Sequence, residues 1–562
     1  MKRTSIVIAL ALFLLVSNTS FAQDVPKGWH LMDPITDHFY GISLDKAYQF
    51  LKEHNKHGKP VIVAVMDSGV DTAHEDLKDI LWKNPKEIPG NGIDDDGNGY
   101  IDDIYGWNFL GGKDGSNLKK CSDERTRIYH KYKEDFLGKE IDTTKLSYEE
   151  KYHFHIWMKA ASELNFSTEE QTQLLYIEMT AKAIKKHDKV LRKELEQEVY
   201  TIDALEKFEP NSKLGKESKL GYITCMKILG IDPDETNVST IEQLDEYIDG
   251  KKTAFDSKLQ APVNYRAQIV KDNYYNFSDS HYGNNDVMGP NPMHGTHVTG
   301  IIGAKRDNGI GMNGVADNVR IMMVRVVPDG DEYDKDVALG IRYAVDNGAK
   351  IINMSFGKSF SPEKPWVDSA IRYAAAKDVL IIHAAGNDGA DNDVKENYPS
   401  PYSPIQNNTV ENFITIGASS DPKISKSISA DFSNYGKLSV DFFAPGVKIY
   451  STLPGKNKYG NLQGTSMSTP IVTGLAALIR SYYPELTAVQ IKNILEKSVM
   501  IPDSTITAMK PGADPVPVAF ASLSITGGIA NAYYAISAAE LTKPIAIKEP
   551  GKQNTKTAKL KK

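Results

Sequence analysis

Four short stretches carry residues able to do chemistry. In Gln463-Gly464-Thr465-Ser466-Met467-Ser468-Thr469-Pro470, hydroxyls and small residues crowd ahead of the apolar run Ile471–Ile479. This pattern predicts a tight turn feeding a buried helix, with Pro470 in its first turn, where a missing N–H costs nothing. A serine there presents an outward hydroxyl and a backbone N–H facing any developing anion, as a nucleophile needs; the plainer reading is a simple N-cap. Val61–Met66 is apolar at every position and ends in Asp67-Ser68-Gly69. An acid at the carboxyl end of a strand buried on both faces stands where open α/β sheets bind ligands, unless it only closes the strand as an Asx turn. Asn291-Pro-Met-His294-Gly295-Thr296-His297 opens a helix with two histidines on one face. They form half a metal site, or one imidazole is catalytic and the other packs on the core; no Glu stands beside them as a zinc protease pattern requires. Finally, Ala384-Ala385-Gly386-Asn387-Asp388-Gly389 follows a buried strand; an amide in such a turn can donate to an oxyanion, although on its own the stretch reads as no more than a glycine turn.

A fifth stretch has metal-ligand spacing. Between Ile93 and Asp103, Asp94, Asp96 and Asn98 recur every second residue, followed by Gly99. Alternate oxygen ligands with a glycine for the sharp turn open a calcium loop. Tyr105 stands where such loops carry a bidentate Glu, so Asp102 or Asp103 is expected to close the shell.

The elements that must hold these residues alternate. Strands are expected at Val61–Met66, Arg320–Val326, Lys350–Met354, Val379–Ala384 and Phe413–Ala418. Helices are expected at Leu44–Lys52 behind a Ser43 cap, Asp334–Asn347, Trp366–Lys377, Val489–Ser498 behind a Thr487/Gln490 capping box, and Asn531–Ala539. This rhythm implies an α/β fold, a doubly wound and mostly parallel sheet with helices on both faces. Residues 112–281 break it. They are charged and helical, with capping boxes at Ser147/Glu150, Ser167/Glu170 and Ser239/Glu242, and read as a large all-helical insertion. The domain reading is therefore 1–22 signal peptide, 23–111 and 282–542 the two parts of the α/β domain, 112–281 the insertion, and 543–562 a disordered basic tail.

Composition narrows the class. The chain has 562 residues, 41% hydrophobic and 25% charged, with 66 basic and 73 acidic residues for a net charge of −7. That profile is globular and argues against nucleic acid as a partner. Lys2 and Arg3 precede the apolar run Ile6–Val16, too short to span a bilayer, and Ser20-Phe21-Ala22 offers a cleavage site. An extracytoplasmic address, periplasmic or secreted, is expected, with no integral membrane segment once the signal is removed. The only cysteines are Cys121 and Cys225, so this is no disulfide scaffold.

Taken together, the motifs resemble those of the subtilases, the subtilisin-like serine peptidases. Val63-Ala-Val-Met-Asp67-Ser-Gly69-Val-Asp71 is similar to the family's aspartate motif, His294-Gly-Thr-His-Val-Thr-Gly300 to its histidine motif, and Gly464-Thr-Ser466-Met-Ser-Thr-Pro470 to its serine motif, in the family's order Asp, His, Ser. The resemblance implies an Asp67–His294–Ser466 triad acting on protein or peptide substrates, with an oxyanion hole of Asn387 and the Ser466 N–H. It implies that Ser355, Phe356 and Gly357 line the substrate site. It also implies structural Ca2+, with Asp76 and Asn308 as ligands of one site beside the loop of Asp94, Asp96, Asn98 and Asp102. The expected protein is an exported, monomeric serine endopeptidase; the alternative is an inactive binding or scaffold protein on the same fold. The insertion departs from the family pattern. It separates Asp67 from His294, so it is expected to leave the sheet near the substrate cleft and to act there as a lid or exosite.

Overall fold

The structure, a computed structural model, describes residues 25–164, 168–233, 235–256, 258–404, 406–513 and 515–545. The expected signal sequence, most of the expected basic tail and Ser167 lie outside them. Seven strands form the main sheet: β1 (Val61–Asp67), β2 (Gly106–Asn108), β3 (Val319–Arg325), β4 (Ile351–Met354), β5 (Leu380–Ala384), β6 (Phe413–Ser419) and β7 (Phe442–Pro445). Their order is β2-β3-β1-β4-β5-β6-β7 and every pair is parallel. β1 is central, with Val61 opposite Val319 and Val63 opposite Ile351. The expected strands are present within a residue or so of their bounds. The two edge strands, β2 and β7, had not been expected: three or four residues are too few to show a period.

Alternate residues of each strand face opposite layers. Val63, Val65, Ile321, Met323 and Ile382 pack against α1 (Leu44–Glu53) and the helices at Met293–Gly303, Thr465–Tyr482, Ala488–Lys497 and Ala532–Leu541. Ala64, Met66, Met322, Val324 and Ile381 pack against the helices at Asp334–Asp346 and Lys364–Ala376. This is the doubly wound α/β fold, with a large helical insertion between β2 and the helix at Met293.

Within the insertion, α2 (Glu124–Phe136) and α3 (Tyr148–Glu163) pack on each other and on Phe360. Next, α4 (Thr168–Leu195), α5 (Lys213–Leu229) and α6 (Asn237–Asp256) share a separate core around Ile184, Leu191, Tyr222 and Met226. A buried ion network ties the insertion's return to the sheet domain: Arg266 meets Asp272 at 2.8 Å and Asp336 at 2.5 Å, and Lys335 meets Asp272 at 2.7 Å. The remaining helices of ten or more residues are α7 (Met293–Gly303), α8 (Asp334–Asp346), α9 (Lys364–Ala376), α10 (Thr465–Tyr482), α11 (Ala488–Lys497) and α12 (Ala532–Leu541).

Both capping-box bonds form at Ser147/Glu150 and at Thr487/Gln490. Three local expectations change. Ser43 has φ 57° and does not cap α1; its hydroxyl accepts from Asn531, the N-cap of α12. Ser239 lies inside α6, its N–H bonded to the Thr236 hydroxyl, because the helix begins two residues earlier. Pro470 is not in the first turn of its helix, since α10 starts at Thr465. The N–H that Pro470 lacks would have bonded the Ser466 carbonyl. That carbonyl accepts instead from Ser355 Oγ at 2.9 Å.

Candidate active site

The residues singled out for chemistry converge at the carboxyl ends of β1, β4 and β5. Asp67 ends β1 and is 1% exposed. Its Oδ1 accepts from the Ser68 N–H at 2.7 Å and lies 2.8 Å from His294 Nδ1; its Oδ2 has no hydrogen-bond partner among the described residues. His294 sits at the second position of α7. Its neighbour must be glycine: a Cβ on Gly295 would stand 2.1 Å from the Gly69 carbonyl oxygen and 3.1 Å from Asp67 Oδ1. A buried carboxylate holding Nδ1–H leaves Nε2 as the basic nitrogen. His297, one turn on, is fully buried, with Nε2 3.2 Å from the Gly460 carbonyl. Burial lowers its pKa to about 3, so it is neutral. Of the two readings for this pair, the geometry matches the second, in which only one imidazole faces the cleft.

Ser466 is the second residue of α10, and its Oγ donates to the Ser355 carbonyl at 3.0 Å. Asn387 follows β5. Its Oδ1 accepts from the Thr465 N–H at 2.8 Å and the Thr465 hydroxyl at 3.0 Å, which commits the amide oxygen and leaves Nδ2 as the donor for the cleft. His294, Ser355, Phe356, Gly357, Asn387 and Ser466 all line one cleft of about 590 Å³.

Sequence reasoning missed part of this wall. Asp123, Arg125 and Glu163, at the start of α2 and the end of α3, also line the cleft. So does Glu332, in the loop after β3. An acid following a buried parallel strand was the available signal for Glu332, the same signal that drew attention to Asp67. The insertion thus borders the cleft, and its first two helices do so directly.

At the acidic loop, oxygens of Glu87, Asp94 and Asp96 lie within 4.8 Å of one another, a donor set that suits a hard cation. Glu87, from outside the motif, joins two of the expected residues. Asp102 is turned elsewhere: its carboxylate accepts the N–H groups of Gly90 and Gly92 at 2.7 and 2.9 Å. Asn98 Oδ1 accepts the Tyr100 N–H, and its Nδ2 donates to Asp103. The second expected pair does meet, with Asn308 Nδ2 2.6 Å from Asp76 Oδ1. A Cβ on Gly311 would lie 2.4 Å from Asp76 Oδ2, so the loop closes tightly on this buried carboxylate. A cation there requires the Asn308 amide to turn its oxygen inward. Cys121 and Cys225 are both free.

Comparison with known proteins follows this geometry. The chain is 39% identical over 208 residues to a thermophilic serine proteinase of Bacillus sp. (strain AK1), covering 37% of this chain and 46% of the relative. It is 38% identical to the major intracellular serine protease of Bacillus subtilis (strain 168), over 37% of this chain and 62% of the relative. It is 37% identical to subtilisin BL of Lederbergia lenta, over 38% of this chain and 72% of the relative. The matched stretch thus spans about half the length of the first of these relatives. The solved structure of a prenylagaramide maturation protease, PagA, aligns over 44% of this chain and 82% of its own at 28% identity with a TM-score of 0.36, so the fold assignment rests on the sheet topology itself. The subtilase family model matches residues 58–517, most of the chain, and the chain belongs to the subtilase family.

Proposed function

We propose that this chain is a serine endopeptidase that hydrolyses peptide bonds through Asp67, His294 and Ser466. The observation that carries the reading is the 2.8 Å contact of buried Asp67 with His294 Nδ1, in the cleft that Ser466 and Asn387 also line. Ser466 Oγ leaves the Ser355 carbonyl for His294 Nε2 when substrate enters, since such contacts tighten in the Michaelis complex. Oγ then attacks the peptide carbonyl and its proton passes to Nε2, while Asp67 stabilises the imidazolium. Asn387 Nδ2 and the Ser466 N–H stabilise the oxyanion. His294 returns the proton to the leaving amine, and water hydrolyses the acyl-enzyme. Ser355, Phe356 and Gly357 supply the edge along which an extended peptide lies.

Labelling with a fluorophosphonate probe tests this reading. Wild type is expected to label and Ser466→Ala is not. A folded wild-type protein that stays unlabelled would favour the rival, an inactive binding or scaffold protein.

The same proposal includes export as a monomer. The charged start and short apolar run at residues 2–16 support it, and no helix among the described residues is long and apolar enough to cross a membrane. One relative is named an intracellular protease, so the address is tested by reading the mature N-terminus, expected at Gln23. Ca2+ is proposed at two places, Glu87 with Asp94 and Asp96, and Asp76 with Asn308. Bound there, it would brace loops and take no part in the chemistry.

A further inference from the structure

The wall shared by the insertion and the loop after β3 holds more carboxyls than cations. Lys358 is buried and already committed twice, to Glu124 at 2.7 Å and Asp334 at 2.8 Å. Arg127 pairs with Glu124 at 2.6 Å. Both cations also donate to the Glu332 backbone carbonyl, at 2.7 Å from Lys358 Nζ and 3.2 Å from Arg127 Nη2, which fixes this residue's main chain. The Glu332 side chain is not used in the same way. The residue is 3% exposed, lines the substrate cleft, and its Oε1 has no hydrogen-bond partner among the described residues. A buried carboxyl oxygen without a partner is costly, and a structure that keeps one beside a ligand site gains most when the ligand brings the missing donor.

We propose that Glu332 is a specificity-determining residue that receives a lysine or arginine side chain of the peptide substrate. The inference rests on the peptidase reading above and deepens it. Burial pushes the Glu332 carboxyl up to about 8, against the pull of Lys358 and with the push of Asp331 and Asp334. An entering ammonium or guanidinium supplies Glu332 Oε1 with both an opposite charge and the hydrogen-bond donor it has not found among the described residues. The other cations near this wall face other acids: Lys358 and Arg127 are held by Glu124 and Asp334, Arg125 lies 3.6 Å from Asp123 and 3.8 Å from Glu163, and Lys131 pairs with Glu363 at 3.0 Å. A neutral side chain in the same place leaves Oε1 as it is and forgoes that contact.

The test uses the full-length protein and fluorogenic peptides in which each of the four residues before the cleaved bond is Lys, Arg or norleucine in turn. Wild type, Glu332→Gln and Glu332→Ala are compared after titrating active sites with the fluorophosphonate probe, so that only folded, reactive enzyme is counted. Wild type is expected to prefer a basic residue at one position by at least about tenfold in kcat/KM, the size of one charge-assisted hydrogen bond. Both variants are expected to lose that preference. Cleavage with no basic preference at any position, or a preference that survives in both variants, would overturn the assignment while leaving the peptidase reading in place. Absence of both cleavage and labelling would remove the two together.

Discussion

At the scale of the residue, position depends on what each side chain is denied. Asn387 shows this. Both donors of Thr465 occupy its Oδ1, so the amide cannot flip, and Nδ2 is the group left to meet an oxyanion. Asn387→Ala should therefore lower kcat by about 10²–10³-fold with little change in KM, the figure known for an oxyanion-hole donor in subtilisin. Steady-state kinetics on one peptide checks it; a matching rise in KM with kcat unchanged would mean that Asn387 binds substrate in the ground state instead. Asp67 works by the same logic. The Ser68 N–H and His294 share its Oδ1, and burial keeps water from competing for it.

At the scale of the element, α7 and α10 position the two side chains proposed to react, His294 and Ser466, and each depends on a residue with something missing. Gly295 has no Cβ, which lets the start of α7 approach β1; any side chain there meets the Gly69 carbonyl. Gly295→Ala should push α7 away from Asp67, destabilise the fold by about 1–3 kcal/mol as overpacking does, and reduce fluorophosphonate labelling of the protein that remains folded. Denaturant unfolding run beside labelling checks this, and an unchanged midpoint with full labelling would show that the helix start is free to shift. Pro470 has no N–H, and the Ser466 carbonyl it leaves unpaired is taken by Ser355 Oγ, which ties α10 to the end of β4. The proline was legible in the sequence but its place was not, because where a helix begins is decided by the turn that precedes it. Ser239 failed for the same reason: Thr236, three residues upstream, accepts its N–H first.

At the scale of the whole molecule, long excursions are held by buried charge and by closed loops. Arg266, Asp272, Lys335 and Asp336 fasten the insertion where it returns to the sheet. The acidic loop has no comparable set of cations: Lys86 comes only to 3.9 Å of Asp96 and is itself largely exposed. Calcium removal should therefore lower thermal stability. An ion at 100 times its Kd adds about 2.7 kcal/mol per site, so Tm should fall in chelator and recover when calcium is restored. Asp94→Asn combined with Asp96→Asn should remove part of that difference, and the part left would report the Asp76–Asn308 loop. A Tm indifferent to calcium in the wild type would exclude structural ions at both places.

Much of this protein was determined by short-range pattern. Largely apolar runs marked the interior strands, since a strand buried on both faces admits few polar positions, Asn353 and His383 among them; motif residues pointed to Asp67 at a strand end and to His294 and Ser466 at helix starts, and the family resemblance added Asn387. The acidic loop was visible because its carboxylates are neighbours in the chain. Tertiary structure decided what depends on distant partners. It brought Glu87 to Asp94 and Asp96 and turned Asp102 to Gly90 and Gly92. It set α2 and α3 against the cleft, and left Glu332 buried there among cations already engaged. A residue's type and its neighbours in sequence specify what it can donate or accept, whereas only packing specifies which of those capacities is left over for a ligand.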